Sequence, residues 1–319
     1  KRRRFIKTIK KNKPLVFLFG PTASGKTELA IELSKTFPVE LISVDSVMVY
    51  KDCDIGSAKP NKDVLRKHPH HMINIVDLNT IFTVADFYSI SHKLIEQAHL
   101  KNRLPVFVGG SMMYFNSLYK GIHNLPKRDK EYRNELEILK IENEPNYLYK
   151  LLKNIDPTYA KDINQNDDIR IIRALEIYKA TGKPLSKILS DESKDNLSDQ
   201  YQVHQFGILD ERDKLHQRIE TRLRGIFDLG LIKEVENILN KYDISEDHPI
   251  RRSVNYKQAL GYINNDYGIE AAFEKALFAT RQLAKRQTTW LRSWEKFKKV
   301  EIKEIKVIEN EFKKIISLL

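Results

Sequence analysis

Cysteine is nearly missing from this chain: Cys53 is the one copy in 319 residues. A single thiol excludes an intrachain disulfide and any zinc site built from several cysteines, and it fits a reducing compartment. Long hydrophobic runs are missing too. No stretch approaches the roughly 18 consecutive apolar residues of a membrane-spanning helix, and the opening Lys1-Arg2-Arg3-Arg4 lacks the apolar core of a secretory signal. A soluble, cytoplasmic, monomeric protein without a membrane partner is therefore expected. There is no internal repeat. Acidic residues are outnumbered, 43 against 55 basic, for a formal net charge of +12. Eight of the basic residues fall in residues 1–15, which hold no acid, so only +4 is left for the other 304. The excess is mostly a basic tail, read as a solvated arm that can also touch phosphates. It is no argument by itself for a nucleic-acid partner.

What is present begins with 41% hydrophobic residues, enough for a large core in one elaborated domain or two smaller ones. The most informative stretch is Gly20-Pro21-Thr22-Ala23-Ser24-Gly25-Lys26-Thr27, which follows the apolar run Leu15 to Phe19 and precedes a helical pattern from Glu28 to Phe37. This is the phosphate-binding GxxxxGK[ST] loop in its strand–loop–helix setting. Gly20 and Gly25 let the backbone curl, so that its N–H groups and the helix N-terminus favour a polyphosphate. Lys26 adds a point charge, and the Thr27 hydroxyl is suited to Mg²⁺. A plain glycine turn would not account for both flanks. The loop announces a diphosphate or triphosphate without saying whose, and ATP or GTP chemistry is its commonest use.

Val39 to Asp45 reads as a second buried strand ending in a carboxylate. Ligands of open α/β sheets sit beyond the carboxyl ends of the strands, so Asp45 and the phosphate loop are expected to share one cleft. There Asp45 is a Mg²⁺ ligand, a general base or a helix cap. His68-Pro69-His70-His71 has poor spacing for zinc and is assigned to backbone and core hydrogen bonding. Thr83 is expected to cap a helix running to Leu100. Leu104 to Val108 is a third buried strand, closed by Gly109-Gly110-Ser111, where glycines allow close approach to a ligand and Ser111 offers a hydroxyl.

From residue 122 to about 200 prolines punctuate charged helical segments and buried strands stop, which predicts an inserted all-helical domain between core segments 1–121 and 201–319. Within it Arg170 and Arg173 lie one turn apart, either solvated, paired with Glu176 or bound to a ligand. Val203 to Leu209 resumes the sheet. Asp210 then caps a long helix, on which Arg212, Arg218 and Arg222 are candidates to face a leaving phosphate. In the last helix, Ala271 to Trp294, Leu283, Trp290 and Trp294 form an expected core face, with Arg281, Lys285, Thr288 and Arg292 opposite.

Taken together these motifs resemble the tRNA dimethylallyltransferase (tRNA isopentenyltransferase) family. The matching pieces are the phosphate loop, Ser43-Val44-Asp45-Ser46 with Tyr50, Asp54-Ile55-Gly56 with Ala58-Lys59-Pro60, and Pro69-His70-His71. They continue through Val108-Gly109-Gly110 with Tyr114, Arg173-Ala174-Leu175-Glu176 with Thr181-Gly182-Lys183-Pro184, and Thr280 to Gln287 with Trp290. The resemblance implies an α/β fold, a P-loop core with a parallel sheet flanked by helices plus the helical insertion. It implies transfer of a dimethylallyl group from dimethylallyl diphosphate to the exocyclic N6 of the adenosine at tRNA position 37, with Mg²⁺ held at Thr27. Residues Gly20, Pro21, Thr22, Ala23, Ser24, Gly25, Lys26 and Thr27 would hold the diphosphate, Asp45 would take the amine proton, and Ser111 with Arg212 or Arg218 would complete the cage.

The implied contacts to the tRNA anticodon stem-loop are Asp45, Ser46, Val47 and Met48, Ser111, Arg133, and Asp167, Asp168, Ile169, Arg170 and Ile171. They extend to Arg252, Ser253, Val254, Asn255, Tyr256 and Lys257, and to Thr280, Arg281, Gln282, Leu283, Ala284, Lys285, Arg286 and Gln287. Two positions depart from the family pattern. Ser111 replaces the usual Thr, and Asn255 stands where Gly is usual, in a turn that Asn tolerates next best. Rival readings are a small-molecule P-loop kinase, a non-catalytic RNA-binding module, and an isopentenyltransferase for free adenine nucleotides.

Overall fold

The structure is a computed structural model that describes residues 13–123, 125–191, 196–301 and 304–319. Most of the basic arm, residues 1–12, lies outside the described residues. The chain divides into two compact units, one made of the described residues up to Lys120 with Asn196–Leu319, the other of those in Gly121–Asp195.

The first unit opens with β1, Pro14–Phe19, buried along its whole length. Leu15, Phe17 and Phe19 enter the core on one face of the sheet, Val16 and Leu18 that on the other, which is why the strand reads as an unbroken apolar run. The phosphate loop leads into α1, Lys26–Thr36, whose N-cap Gly25 has φ 85°, a left-handed conformation glycine adopts without steric cost. Then come β2, Val39–Val44, α2, Lys62–Lys67, β3, His70–His71, and α3, Val84–Leu100. Thr83 caps α3 as expected, in a reciprocal box with Asp86. β4, Leu104–Gly109, and α4, Met112–Lys120, complete this half.

The helical unit holds α5, Lys130–Glu142, α6, Tyr147–Ile155, α7, Pro157–Lys161, α8, Asp168–Thr181, and α9, Leu185–Asp191. It has its own core, centred on Leu136, Leu148, Leu152, Ile172 and Leu175. The unit ends at Asp195 rather than near 200 because Leu197 and Tyr201 are already buried in the sheet core.

The sheet unit resumes with β5, Gln202–Ile208, α10, Arg212–Asp228, α11, Leu231–Lys241, and α12, Tyr256–Ile263. It closes with α13, Ile269–Ser293, β6, Lys298–Val300, and α14, Ile305–Ile316. The strands form one parallel sheet in the order β3-β2-β4-β1-β5-β6. Gly109 is in register with Phe19 on one side and Val44 on the other. Three strand ends therefore stand level, and Gly20, Asp45 and Gly110 leave the sheet side by side. A Cβ on Gly109 would come within 2.1 Å of Val44 O, so only glycine lets β2 and β4 close up here. No helix among the described residues is long and apolar enough to cross a membrane.

Two expectations fail in the second half. Asp210 does not cap α10; the N-cap is Glu211, without a side-chain cap bond, and Asp210 pairs with Arg218 instead. The core face of α13 is also different. Ala276, Leu277 and Ala284 pack on Leu215, Ile219 and Leu223 of α10, and the two alanines take up little room between the helices. Trp294 does join the core, against Phe19 and Tyr119, but Leu283 and Trp290 face a cleft.

Candidate active site

The cleft lies beyond the level ends of β1, β2 and β4 and has a volume of about 510 Å³. Its polar floor is Thr22, Ala23, Lys26 and Thr27 of the phosphate loop, with Asp45 and Ser111. Ala23 has φ 60° and Gly25 φ 85°, the two left-handed residues that curl the loop. The N–H groups of Ala23 and Gly25 have no partner among the described residues, and those of Lys26 and Thr27 are first-turn amides of α1, unpaired by geometry. Ser24 is different. Its hydroxyl is buried without a partner, 2.6 Å from where a Cβ on Gly20 would stand, so it fills the back of the loop.

Lys26 donates its ammonium to Pro21 O at 3.0 Å. Burial, and then the charge of Arg222, push its pKa down to about 8, against the opposing fields of Asp45 and Glu28. Arg222, on α10, lines the same cleft and donates to Ala58 O at 3.1 Å. Burial lowers the pKa of Arg222 as well, and two partly desolvated cations lining one cleft are suited to an anion that binds there.

Asp45 caps a turn rather than a helix: residues 46–49 form a turn, and its Oδ1 accepts from Val47 N at 2.8 Å and Met48 N at 3.0 Å. Its Oδ2 has no partner among the described residues, so one oxygen holds the turn and the other is left for chemistry. Ser111, at the head of α4, is half-buried in the cleft lining, and its hydroxyl has no partner among the described residues. Ile73, Met112, Ile219, Leu223 and Ile226 add apolar side chains to the lining of the same cleft.

Of the three candidate arginines, Arg212 is not among the lining residues and stands exposed at the first turn of α10. Arg218 sits behind the loop, its Nε donating to Ala23 O at 2.9 Å and its Nη2 paired with Asp210. Arg222 is the one that reaches the cleft. Arg218 and Arg222 share a face one helical turn apart, so the sequence placed that face but not the height at which it meets the cleft.

The mouth is lined by Ser46, Val47 and Met48, by Arg252, Ser253, Val254 and Asn255, and by Thr280, Leu283, Arg286, Gln287 and Trp290. Trp290 is 43% exposed there. Asn255 has φ 73° and ψ −50°, a positive φ as its place in a glycine position suggests, and Gln258 Oε1 accepts from its N–H at 2.9 Å. Tyr256 is buried, its hydroxyl donating to Glu234, and Lys257 is exposed. Arg281 pairs with Glu220 at 3.1 Å, Ala284 is buried against α10, and Lys285 is exposed. Each histidine of the run makes a hydrogen bond, although His70 Nε2 is buried without a partner among the described residues and His70 lines the cleft. His68 bonds Ser34, His70 bonds His68 O, and His71 pairs with Glu40.

In the helical unit Arg133 donates to Glu176 through Nε at 3.0 Å and Nη2 at 3.2 Å, and Arg173 to the same carboxylate at 2.6 Å. Asp167 caps α8, Asp168 pairs with Lys140 at 2.6 Å, Ile171 is buried, and Ile169 and Arg170 are exposed. Arg173 is thus a structural ion pair, one of the readings left open by its spacing.

A phosphate loop, a hydroxyl and a half-free carboxylate at adjacent strand ends, in a cleft that apolar side chains also line, are the marks of an α/β enzyme with a phosphate-binding site. The chain matches the IPP transferase family over residues 48–294. It is 44% identical over 285 residues to a tRNA dimethylallyltransferase of Acinetobacter baumannii, covering 88% of this chain and 90% of that protein. Among solved structures it is similar to the full-length tRNA isopentenylpyrophosphate transferase of Bacillus halodurans, with a TM-score of 0.68 and 33% identity over 96% of this chain and 97% of that one. It is also similar to a eukaryotic dimethylallyltransferase acting on tRNA, with a TM-score of 0.72 and 27% identity over 88% of this chain and 70% of that one. The chain belongs to the IPP transferase family.

Proposed function

We propose that this enzyme transfers the dimethylallyl group of dimethylallyl diphosphate to the exocyclic N6 of the adenosine at tRNA position 37, 3′ of the anticodon, releasing diphosphate. The observation that carries this reading is one cleft lined both by the phosphate loop with Asp45 and by apolar side chains. Its relatives are tRNA prenyl transferases, and the small-molecule kinase reading is not favoured.

In the reaction the adenine nitrogen bonds to C1 of the allyl group while the C1–O bond breaks, its electron pair leaving on the diphosphate. The loop amides, Lys26 and Arg222 stabilise that developing charge, being fixed before the reaction begins. The Oδ2 of Asp45 accepts the amine proton, and its bonds through Oδ1 keep the carboxylate aimed. Ser111 offers a hydroxyl to the diphosphate. The base leaves its stack to reach the cleft, and the exposed ring of Trp290 at the mouth is a surface it can pass.

The hydroxyl of Thr27, which lines the cleft, fits Mg²⁺. No group of three or more His, Cys, Asp or Glu that would hold a metal exists among the described residues, so water and the diphosphate would complete its shell. When bound, Mg²⁺ supplies charge neutralisation on the diphosphate. The test incubates the protein with Mg²⁺, labelled dimethylallyl diphosphate and unmodified tRNA, with a parallel reaction containing labelled ATP. Label at the adenosine beside the anticodon, without ATP, is the expected result. Phosphate transfer from ATP with no label in tRNA would overturn it.

A further inference from the structure

Gln287 makes a connection that its place in a stretch of RNA-contacting residues does not explain. Its side-chain amide spends both ends on backbone: Oε1 accepts from Thr22 N at 2.8 Å, and Nε2 donates to Gly110 O at 2.9 Å. Thr22 belongs to the phosphate loop after β1, and Gly110 to the turn after β4 that carries Ser111. One amide from α13 therefore ties the two loops that flank the diphosphate floor. Gly110 is shaped for it, since a Cβ there would stand 2.5 Å from Gln287 Nε2. The strand ends below are also joined, Gly20 N donating to Gly109 O at 3.3 Å.

The tie has a chemical consequence. A backbone N–H engaged by Gln287 is not a donor to phosphate, and Ser24 N is bonded to Pro21 O, so the diphosphate grip falls to the amides of Ala23, Gly25, Lys26 and Thr27. Those amides converge only if the loop entrance is held, and Thr22 is the entrance. Flanking holds act on carbonyls: Arg218 on Ala23 O and Lys26 on Pro21 O. Gln287 is the side chain that fixes an N–H of the loop.

We infer that Gln287 is a positioning residue for the phosphate loop, holding Thr22 against the Ser111 turn so that the remaining amides are set for a diphosphate, and is not an RNA contact. This rests on the transferase reading only for its kinetic arm, because diphosphate binding is measurable without RNA.

The experiment uses the full chain as wild type, as Gln287→Met, which keeps length but loses both bonds, and as Gly110→Ala, which pushes the amide away from the other side. Three quantities are read: affinity for inorganic diphosphate with Mg²⁺, affinity for an unmodified anticodon stem-loop RNA, and KM for dimethylallyl diphosphate against kcat. Both variants are expected to bind diphosphate about tenfold more weakly, as two neutral hydrogen bonds allow. KM for dimethylallyl diphosphate should rise in step, while RNA affinity stays within about twofold and the melting temperature within about 3 °C. Loss of RNA affinity in Gln287→Met, with or without weaker diphosphate binding, overturns the inference, as does unchanged diphosphate binding in both variants. If wild type binds diphosphate but labels no tRNA, the transferase reading fails while the binding arm still decides the role of Gln287.

Discussion

In the helical unit the buried carboxylate of Glu176 is saturated: Asp129 N, Arg133 through two nitrogens, and Arg173 all donate to it. Asp156, equally buried, accepts from Tyr159 N and from both the N–H and hydroxyl of Ser186. At the cleft of the sheet unit the opposite holds. Among the described residues one oxygen of Asp45, the Ser111 hydroxyl and the N–H groups of Ala23 and Gly25 have no partner. Saturated polar groups define scaffold, because every valence is already spent on the fold. Unsaturated ones at a strand end define a site, because their desolvation has been left for a ligand to offset. Glu234 shows that the distinction is not one of unit. It lies in the sheet unit, yet the N–H groups of Asp54, Ile55 and Gly56 and the Tyr256 hydroxyl use it up.

The contrast is broken most severely by removing the free oxygen. Asp45→Asn keeps an acceptor for Val47 and Met48 but cannot take a proton. Turnover should fall about 10²- to 10⁴-fold with RNA and diphosphate binding retained, read by single-turnover transfer of label. Near-normal turnover would show that another group removes the amine proton.

Breaking the saturated side should cost stability rather than chemistry. Glu176→Ala leaves Arg133 and Arg173 facing one another in a buried site, and the helical unit should lose about 3–5 kcal/mol in denaturant unfolding. Burial alone would raise the pKa of Glu176, but the bonds from Arg133, Arg173 and Asp129 N outweigh it and hold the carboxyl below its usual value. A depressed acid stabilises above its unfolded pKa, and that contribution is lost as pH falls through the lower, folded value. The acid limb of unfolding should therefore flatten in Glu176→Gln relative to wild type.

Lys26 tests the cleft from the side of charge. Its folded pKa of about 8 lies below the usual 10.5, so the unfolded chain binds more protons between those values. The buried ammonium thus costs stability at neutral pH, and the penalty is relieved as pH rises from about 8 towards 10.5. Lys26→Met should gain about 1 kcal/mol at pH 7 while losing diphosphate binding. In wild type, diphosphate affinity should weaken as pH passes about 8. A variant that is destabilised, or a flat affinity profile across that range, would contradict the assigned strain.

How much of this was legible beforehand follows from the same physics. Strands β1, β2, β4 and β5, the loop between β1 and α1, and the position of Asp45 are local in sequence, written in apolar runs and glycine spacing, whereas the edge strands β3, His70–His71, and β6, Lys298–Val300, carry no such run. The roles of Arg222, Trp290 and Gln287 are not. Helical periodicity sorts α13 into faces but cannot say that alanines pack on α10 while Leu283 and Trp290 turn to the cleft, because hydropathy ranks those large side chains as core. Thr22, Gly110 and Gln287 are far apart in the chain and meet only once the sheet order is set. Arg133 was assigned from resemblance to RNA contact, and its salt bridge with Glu176 needs the pairing of α5 with α8.

The mildest perturbation concerns residues outside both categories, the exposed cations near the cleft mouth. Lys285 is exposed on α13, one turn from Arg281, whose charge is already partnered by Glu220. Lys285→Glu leaves the scaffold and the floor untouched and changes only the field an RNA backbone meets. Binding of the anticodon stem-loop should weaken a few-fold at moderate salt, and the slope of log affinity against log salt should shrink by about one phosphate contact. Affinity for inorganic diphosphate should not change. If RNA affinity also stayed constant, α13 would present its polar face to solvent alone, and the RNA would have to be gripped by the mouth residues Arg252 and Arg286 instead.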